Sequence, residues 1–407
     1  MTVARRLLRT GVLTATWLLL LPSLVLLWSA IAPVVPWLRI YATDVVPNGA
    51  PWFLLIAIAA FLVASLYQRH GRTGVTRGLR WIAGFTALTA AVVVAQFLYL
   101  AYGNGVGIKI DRTLSLRHFS DAGAPDDSHV YASPGGEPLW LDVYRPPSAR
   151  RTTPSPVLVA VHGGGFVEGT RRLGAANMRH YARQGWTVIS IDYRLARPGR
   201  PTWNLATHDV HCALAWIGQR AAPLGIDLDR VTLSGASAGG HLAMAAAYSI
   251  VAGRADTACG AKVPRVAAVV VKAPLIDPLG SWRNPGELQG LQRAYMRRYL
   301  GGSPERYPER YAALDLRRYA DPRNPPTLIM AGRDDPLLPA AAAQEFADRS
   351  TANGAKVSLI LFPYSGHDFN TTYGSITNQI VIGAVAQFTA AHGAGPVPTR
   401  TGAPTPR

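Results

Sequence analysis

Residues 10–38 carry no charged side chain, and the leucine-rich part at 11–31 is long enough to cross about 30 Å of hydrocarbon as a helix. A second apolar run covers residues 51–67, at the short end for a span, and a third covers 81–102. Three such runs in succession predict a membrane-embedded N-terminus over residues 1–103. Hydrophobic residues make up 49% of the chain and charged residues only 16%, and the apolar excess concentrates in these first hundred positions, which points to membrane rather than to a large core. Short cytoplasmic loops retain Arg and Lys. Arg5, Arg6 and Arg9 precede the first run, and Arg69, Arg72, Arg77 and Arg80 lie between the second and third with no acidic residue to offset them. The connector between the first two runs holds only Arg39 and Asp44, which cancel. The expected topology is a multi-pass cell-membrane protein with a cytoplasmic N-terminus and everything after Tyr102 outside. A cleaved signal peptide ending near Ala30-Ile31-Ala32 is the competing reading of the first run, and it leaves the external placement unchanged.

A formal charge of +17 invites a nucleic-acid partner. The arginines are scattered and lysine is scarce, so no nucleic-acid partner is expected and a basic surface near anionic lipid fits better. Two cysteines, Cys212 and Cys259, exclude a disulfide framework and most cysteine metal sites. One bridge between them and two free thiols both stay open.

Beyond a polar linker at residues 104–130 the pattern becomes alternating strands and helices. Residues 138–144 alternate as an edge strand; short apolar runs at 157–161, 186–191, 231–233, 266–271, 327–330 and 357–361 suit strands buried on both faces. Helix-length segments separate them near residues 174–184, 206–219, 238–251, 340–352 and 376–391. The predicted class is α/β, a mostly parallel sheet with helices on both faces, over residues 131–392. Residues 393–407, rich in Pro, Gly and Thr, read as a disordered tail.

The chemistry concentrates in four loops. Gly235-Ala236-Ser237-Ala238-Gly239 falls between a strand and a helix, where a G-x-S-x-G string forms a nucleophile elbow that lifts the serine above the sheet. His162-Gly163-Gly164-Gly165-Phe166 follows the 157–161 strand, and its consecutive glycines let N–H groups converge on a developing oxyanion. Gly164, Gly165 and Ala238 are the expected donors. A serine hydroxyl needs a base, and the base an orienting acid. On such a sheet the expected order is serine, acid, histidine. Asp335, in Gly332-Arg333-Asp334-Asp335-Pro336-Leu337, is the candidate acid, with Asp334 competing because spacing cannot separate adjacent carboxylates. His367, in Gly366-His367-Asp368-Phe369, is the candidate base, and Asp368 reads as a solvent-facing or capping residue. His208, Asp209 and His211 share one helix without a further ligand cluster, so no metal is expected. His241 reads as a packing residue and Asp192-Tyr193-Arg194 as a buried polar staple. The scheme needs no cofactor.

These motifs, HGGGF at 162–166, DYRLA at 192–196, SGASAGGHLA at 234–243, GRDDPL at 332–337 and GHDF at 366–369, resemble in order those of the hormone-sensitive-lipase-like branch of α/β-hydrolases. The likeness covers roughly residues 131–391. It implies an α/β-hydrolase fold preceded by about three transmembrane helices, and a serine carboxylesterase or lipase acting on a small-molecule or lipid ester. A three-span N-terminus before such a domain resembles actinobacterial membrane-anchored esterases. Relatives carry an N-terminal helical cap; here the short linker leaves only the Arg/Tyr-rich insertion at residues 277–319 to supply one. The same triad would serve an acyltransferase or an amidase or peptidase, and a non-catalytic membrane scaffold is the reading from another class.

Overall fold

The computed structural model describes residues 3–32, 36–69, 73–114, 123–148, 154–255, 259–283 and 286–396. Arg72, part of the linker and most of the expected tail lie outside these. Contacts divide the chain into two compact units, one of residues 1–118, 332–335 and 362–381, the other of residues 119–331, 336–361 and 382–407.

The first unit is built on three long helices, α1 (Val3–Ile31), α2 (Pro36–Arg69) and α3 (Gly74–Gly103). Each is long and apolar enough to cross a membrane, over Leu7–Ile31, Trp37–Arg69 and Gly74–Gly103. They outrun the apolar stretches that announce them. The largest difference is in α2, where the segment before Pro51, read as a connector, is helical and carries Pro47 and Pro51 within it. Alanines at 57, 60, 64 and 83 bury against Leu20 and Leu79, because small side chains let helix backbones approach. Hydroxyls of Thr16, Ser23, Ser65 and Thr86 donate to carbonyls four residues back, which satisfies them without water. Leu18, Leu62, Leu66, Trp81 and Leu88 point outward and are more than half exposed, an apolar exterior suited to hydrocarbon. Thr73 starts α3 with a reciprocal capping box to Thr76. A short helix α4 (Ile110–Thr113) follows, and Gln379 ties it by accepting from the Lys109 N–H at 2.8 Å and donating to Thr113 at 2.9 Å.

The second unit contains an eight-stranded sheet in the order β1-β2-β4-β3-β5-β6-β7-β8. In chain order its elements are β1 (Asp127–Ala132), β2 (Leu139–Tyr144), β3 (Ser155–Val161), α5 (Ala175–Arg183), β4 (Thr187–Ile191), α6 (Ala206–Gln219), α7 (Ala221–Leu224), β5 (Ile226–Ala236), α8 (Ala238–Val251) and β6 (Ala268–Lys272). After them come α9 (Pro278–Arg283), α10 (Gln289–Leu300), α11 (Pro308–Ala313), β7 (Thr327–Gly332), α12 (Ala341–Ala352), β8 (Val357–Phe362) and α13 (Ile376–Ala391), of which Gly332, Phe362 and the start of α13 fall in the first unit. β1, β2 and β4 pair antiparallel; β4, β3, β5, β6 and β7 pair parallel. Strand β3 is buried at every residue, as a central parallel strand covered on both faces must be. The expected α/β architecture is present, with one correction at the edge: β1 falls mostly inside the segment read as linker, and β2 is the second strand. Asp, Ser and His in β1 are poor strand formers alone, and pairing with β2 recruits them.

Candidate active site

Ser237 occupies the turn between β5 and α8 with φ 54° and ψ −121°, a conformation that costs a side-chain-bearing residue about 1–3 kcal/mol. Its N–H donates to the Lys272 carbonyl at 2.8 Å, so the neighbouring strand β6 pins the strained residue. The glycines on either side are steric requirements. A Cβ on Gly235 would run into the Gly239 backbone, and one on Gly239 into the carbonyls of Val161 and His162. The turn therefore packs against the loop that leaves β3, and a Cβ on Gly163 would sit 3.5 Å from that of Ser237.

That loop turns through Gly164 (φ 113°), Gly165 (φ 57°) and Phe166 (φ 66°). The Gly164 carbonyl accepts from the N–H groups of Val167 and Glu168 at 3.0 Å, which closes the loop into a tight turn. Phe166 anchors it by stacking on Tyr299 at 3.7 Å and meeting the His241 ring edge-on. His162 stacks on Tyr193, whose hydroxyl donates to the His162 carbonyl at 3.1 Å. Burial lowers the pKa of His162. The insertion at residues 277–319 folds into α9, α10, α11 and a 3-10 turn at Leu316–Tyr319. Tyr295 of α10 lies so near Gly165 that an added Cβ would strike its ring, and its hydroxyl donates to Glu168 at 2.8 Å. Burial and the Glu168 carboxylate push that phenol up to about 12. Cover over the glycine loop thus does come from this insertion.

The acid and base candidates meet in the first unit. His367 Nδ1 donates to Asp335 Oδ2 at 2.7 Å, and the side chains are 14% and 0% exposed. A carboxylate only accepts, so the proton on this edge sits on Nδ1 and Nε2 is left as the basic nitrogen. Burial pulls the imidazole pKa down, but the Asp335 charge and hydrogen bond, with Asp368 and Asp44 adding, outweigh it and raise it to about 9. Asp334 makes a different partnership, accepting from Arg39 Nη2 at 2.7 Å. Asp368 is exposed and does not join the pair.

The remaining sequence candidates take structural places. His241 Nδ1 lies 2.8 Å from the Leu275 carbonyl, with its pKa lowered to about 4 chiefly by burial. Asp209 is held by Arg194, Asp192 by Arg171, and His211 by Ser249. Among the described residues no group of three or more His, Cys, Asp or Glu is arranged to hold a metal. Cys212 and Cys259 are joined in a disulfide, with Cα atoms 5.3 Å apart. No local sequence signal marks Lys272 or Tyr295, because each reaches the site from a distant element, and Glu168, two residues past the HGGGF motif, gains its role only from Tyr295.

The family model described as BD-FAE matches residues 141–349, from β2 to α12 and across the glycine loop, the elbow and Asp335. The chain belongs to the BD-FAE family. This BD-FAE chain is 30% identical over 277 residues to esterase LipQ of Mycobacterium tuberculosis, covering 65% of itself and 62% of that protein. It is 30% identical over 253 residues to esterase LipC of the same organism, covering 60% of each. With the ethyl acetate hydrolase of Pseudomonas putida it shares 30% identity over 266 residues, 61% of the chain and 77% of the relative. It spans about three fifths of the length of the two Mycobacterium relatives. Among solved structures, the butyrate-bound Thermogutta terrifontis esterase superposes with a TM-score of 0.56 at 21% identity, over 70% of this chain and all of that one. The BD-FAE chain therefore has the α/β-hydrolase fold, and its motif resemblance to hormone-sensitive-lipase-like esterases holds.

Proposed function

We propose that the protein is a membrane-anchored serine carboxylesterase or lipase, its catalytic domain running from β1 through α13. The reading rests above all on Ser237, held in a strained turn beside the Gly163–Gly165 loop. Ser237 Oγ attacks the ester carbonyl carbon while His367 Nε2 takes the hydroxyl proton, and Asp335 holds the resulting imidazolium. N–H groups of Gly164, Gly165 and Ala238 bind the tetrahedral oxyanion. The C–O bond to the alcohol breaks as His367 returns the proton to the leaving oxygen. Water then attacks the acyl-serine, giving up a proton to His367, and the carboxylic acid departs as Ser237 regains its proton. Relatives named as an ethyl acetate hydrolase and as esterases support ester rather than amide substrates.

The catalytic domain is assigned to the outside of the membrane. Arginine-rich flanks of α1 and of the α2–α3 connection support this orientation, and the Cys212–Cys259 disulfide fits an oxidising compartment. The test is hydrolysis of a short-chain p-nitrophenyl ester by the full-length protein. Ser237→Ala should lower kcat/KM by roughly 10⁴-fold or more; a rate equal to wild type would sink the assignment.

A further inference from the structure

The Asp335–His367 pair is gripped by the first turns of a membrane-anchor helix. On α2, Arg39, Thr43 and Pro47 follow at intervals of four, with Asp44 and Asn48 on the adjacent stripe, so all five lie on one helix face. Arg39 Nη2 donates to Asp334 Oδ1 at 2.7 Å, next to the candidate acid. Asp44 Oδ1 accepts the Asp368 N–H at 2.9 Å, next to the candidate base. Asn48 donates to the Asp368 carbonyl at 3.0 Å and accepts the Thr372 N–H at 3.0 Å. Two further bonds use the helix backbone itself. The Thr43 carbonyl accepts the Gly366 N–H at 2.8 Å, and the Pro47 carbonyl takes the long arm, 3.3 Å, of a bifurcated bond from the Thr377 hydroxyl, whose main acceptor is the Phe369 carbonyl at 2.7 Å.

Those carbonyls are available for a chemical reason. A helix carbonyl pairs with the N–H four residues on, and proline has none. Pro47 strips the Thr43 carbonyl of its helical donor, and Pro51 strips that of Pro47. Both prolines sit inside α2; the Thr43 carbonyl is filled by Gly366, next to His367, and the Pro47 carbonyl is met more weakly by Thr377. The fit is close: a Cβ on Gly366 would come within 2.5 Å of Asp44 Oδ1 and 2.6 Å of Thr43 Oγ1.

We propose that residues 39–48 of α2 are a positioning element for the catalytic pair, fixing the His367 loop through Asp44, Asn48 and the proline-released carbonyls and the Asp335 loop through Arg39. The inference rests on the reading of Asp335 and His367 as acid and base. It makes the N-terminal region a working part of the active site rather than a tether, and the residues concerned positioning residues that never touch substrate.

The test uses the full-length protein in detergent micelles, with kcat, KM and melting temperature measured on each variant. Displacement of a catalytic group by about 1 Å costs about 10²-fold, so the double variant Asp44→Ala with Asn48→Ala should lose roughly that in kcat with KM nearly unchanged. Asp44→Asn keeps an acceptor oxygen for the Asp368 N–H and should recover about tenfold or more of the loss. Pro47→Ala gives the Thr43 carbonyl its helical donor back, and should lower kcat while the melting temperature stays level or rises. Wild-type kcat in the double variant would overturn the proposal. So would a loss of kcat that follows melting temperature in every variant, with no recovery in Asp44→Asn, since that is purely structural support. His367→Ala separates the two layers: an inactive His367→Ala beside fully active α2 variants refutes the positioning alone, whereas an active His367→Ala refutes the acid–base assignment beneath it.

Discussion

The sequence singles out Ser237 and His367 as candidates for different reasons. At this strand-to-helix boundary the two glycines are needed sterically, since Gly235 and Gly239 are each closed to a Cβ by backbone, and Ser237 takes a strained positive φ between them. His367 was legible through order along the chain, one loop after the paired aspartates. Which aspartate it meets was not, because neighbouring carboxylates separate only when partners from elsewhere arrive; Arg39 takes Asp334, and Asp335 turns to the imidazole. The raised pKa of His367 gives a signed prediction. The base must be neutral at Nε2 to accept the serine proton, so kcat/KM should climb through neutral pH and level off above about 9. Asp335→Asn should move that limb toward acid and lower the plateau. Stability runs the opposite way. A histidine whose folded pKa lies above its unfolded value contributes stability that is full below about 6.5 and lost as pH rises through the folded value. The melting-temperature gap between wild type and His367→Gln should therefore narrow as pH is raised from about 6.5 to about 9 and change little beyond.

Strands and helices with strong periodic or apolar patterns appear where the sequence put them, α8 and α13 with unchanged limits. The misplaced elements are those whose stability comes from partners. β1 is a strand because β2 lies beside it, and the first turns of α2 are helical although proline and polar residues interrupt the apolar pattern. The insertion at residues 277–319 shows the same dependence: its Arg/Tyr content says little, yet α10 delivers Tyr295 onto the glycine loop. Gly165→Ala should destabilise the fold by about 1–2 kcal/mol for its positive φ, plus the cost of displacing the Tyr295 ring. Adding Tyr295→Ala should return only the second part, a coupling that urea denaturation of the two single variants and the double variant measures directly.

For the whole molecule, an apolar helical unit and a sheet-centred unit carry different demands on their surroundings. The disulfide closes a loop of 47 residues between α6 and the segment before β6, and opening it should cost about 2–4 kcal/mol. Cys212→Ala with Cys259→Ala should accordingly melt several degrees below wild type under oxidising conditions and match reduced wild type. A reporter fused after Tyr102 should be active only outside the cytoplasm; activity confined to the cytoplasm would reverse the proposed topology. By itself, the sequence determined the apolar N-terminal helices, the α/β class and the strand-to-helix turn that carries Ser237, since hydrophobic length, strand–helix alternation and glycine sterics are local properties that survive any packing. Tertiary structure alone decided which aspartate pairs with His367, what covers the glycine loop, that the two cysteines join, and that α2 holds the Asp334 and His367 loops. Each of those is a contact between residues far apart in the chain, and the hydrogen bonds that settle them, such as Gly366 to the carbonyl that Pro47 releases, exist only once the fold has brought donor and acceptor within reach.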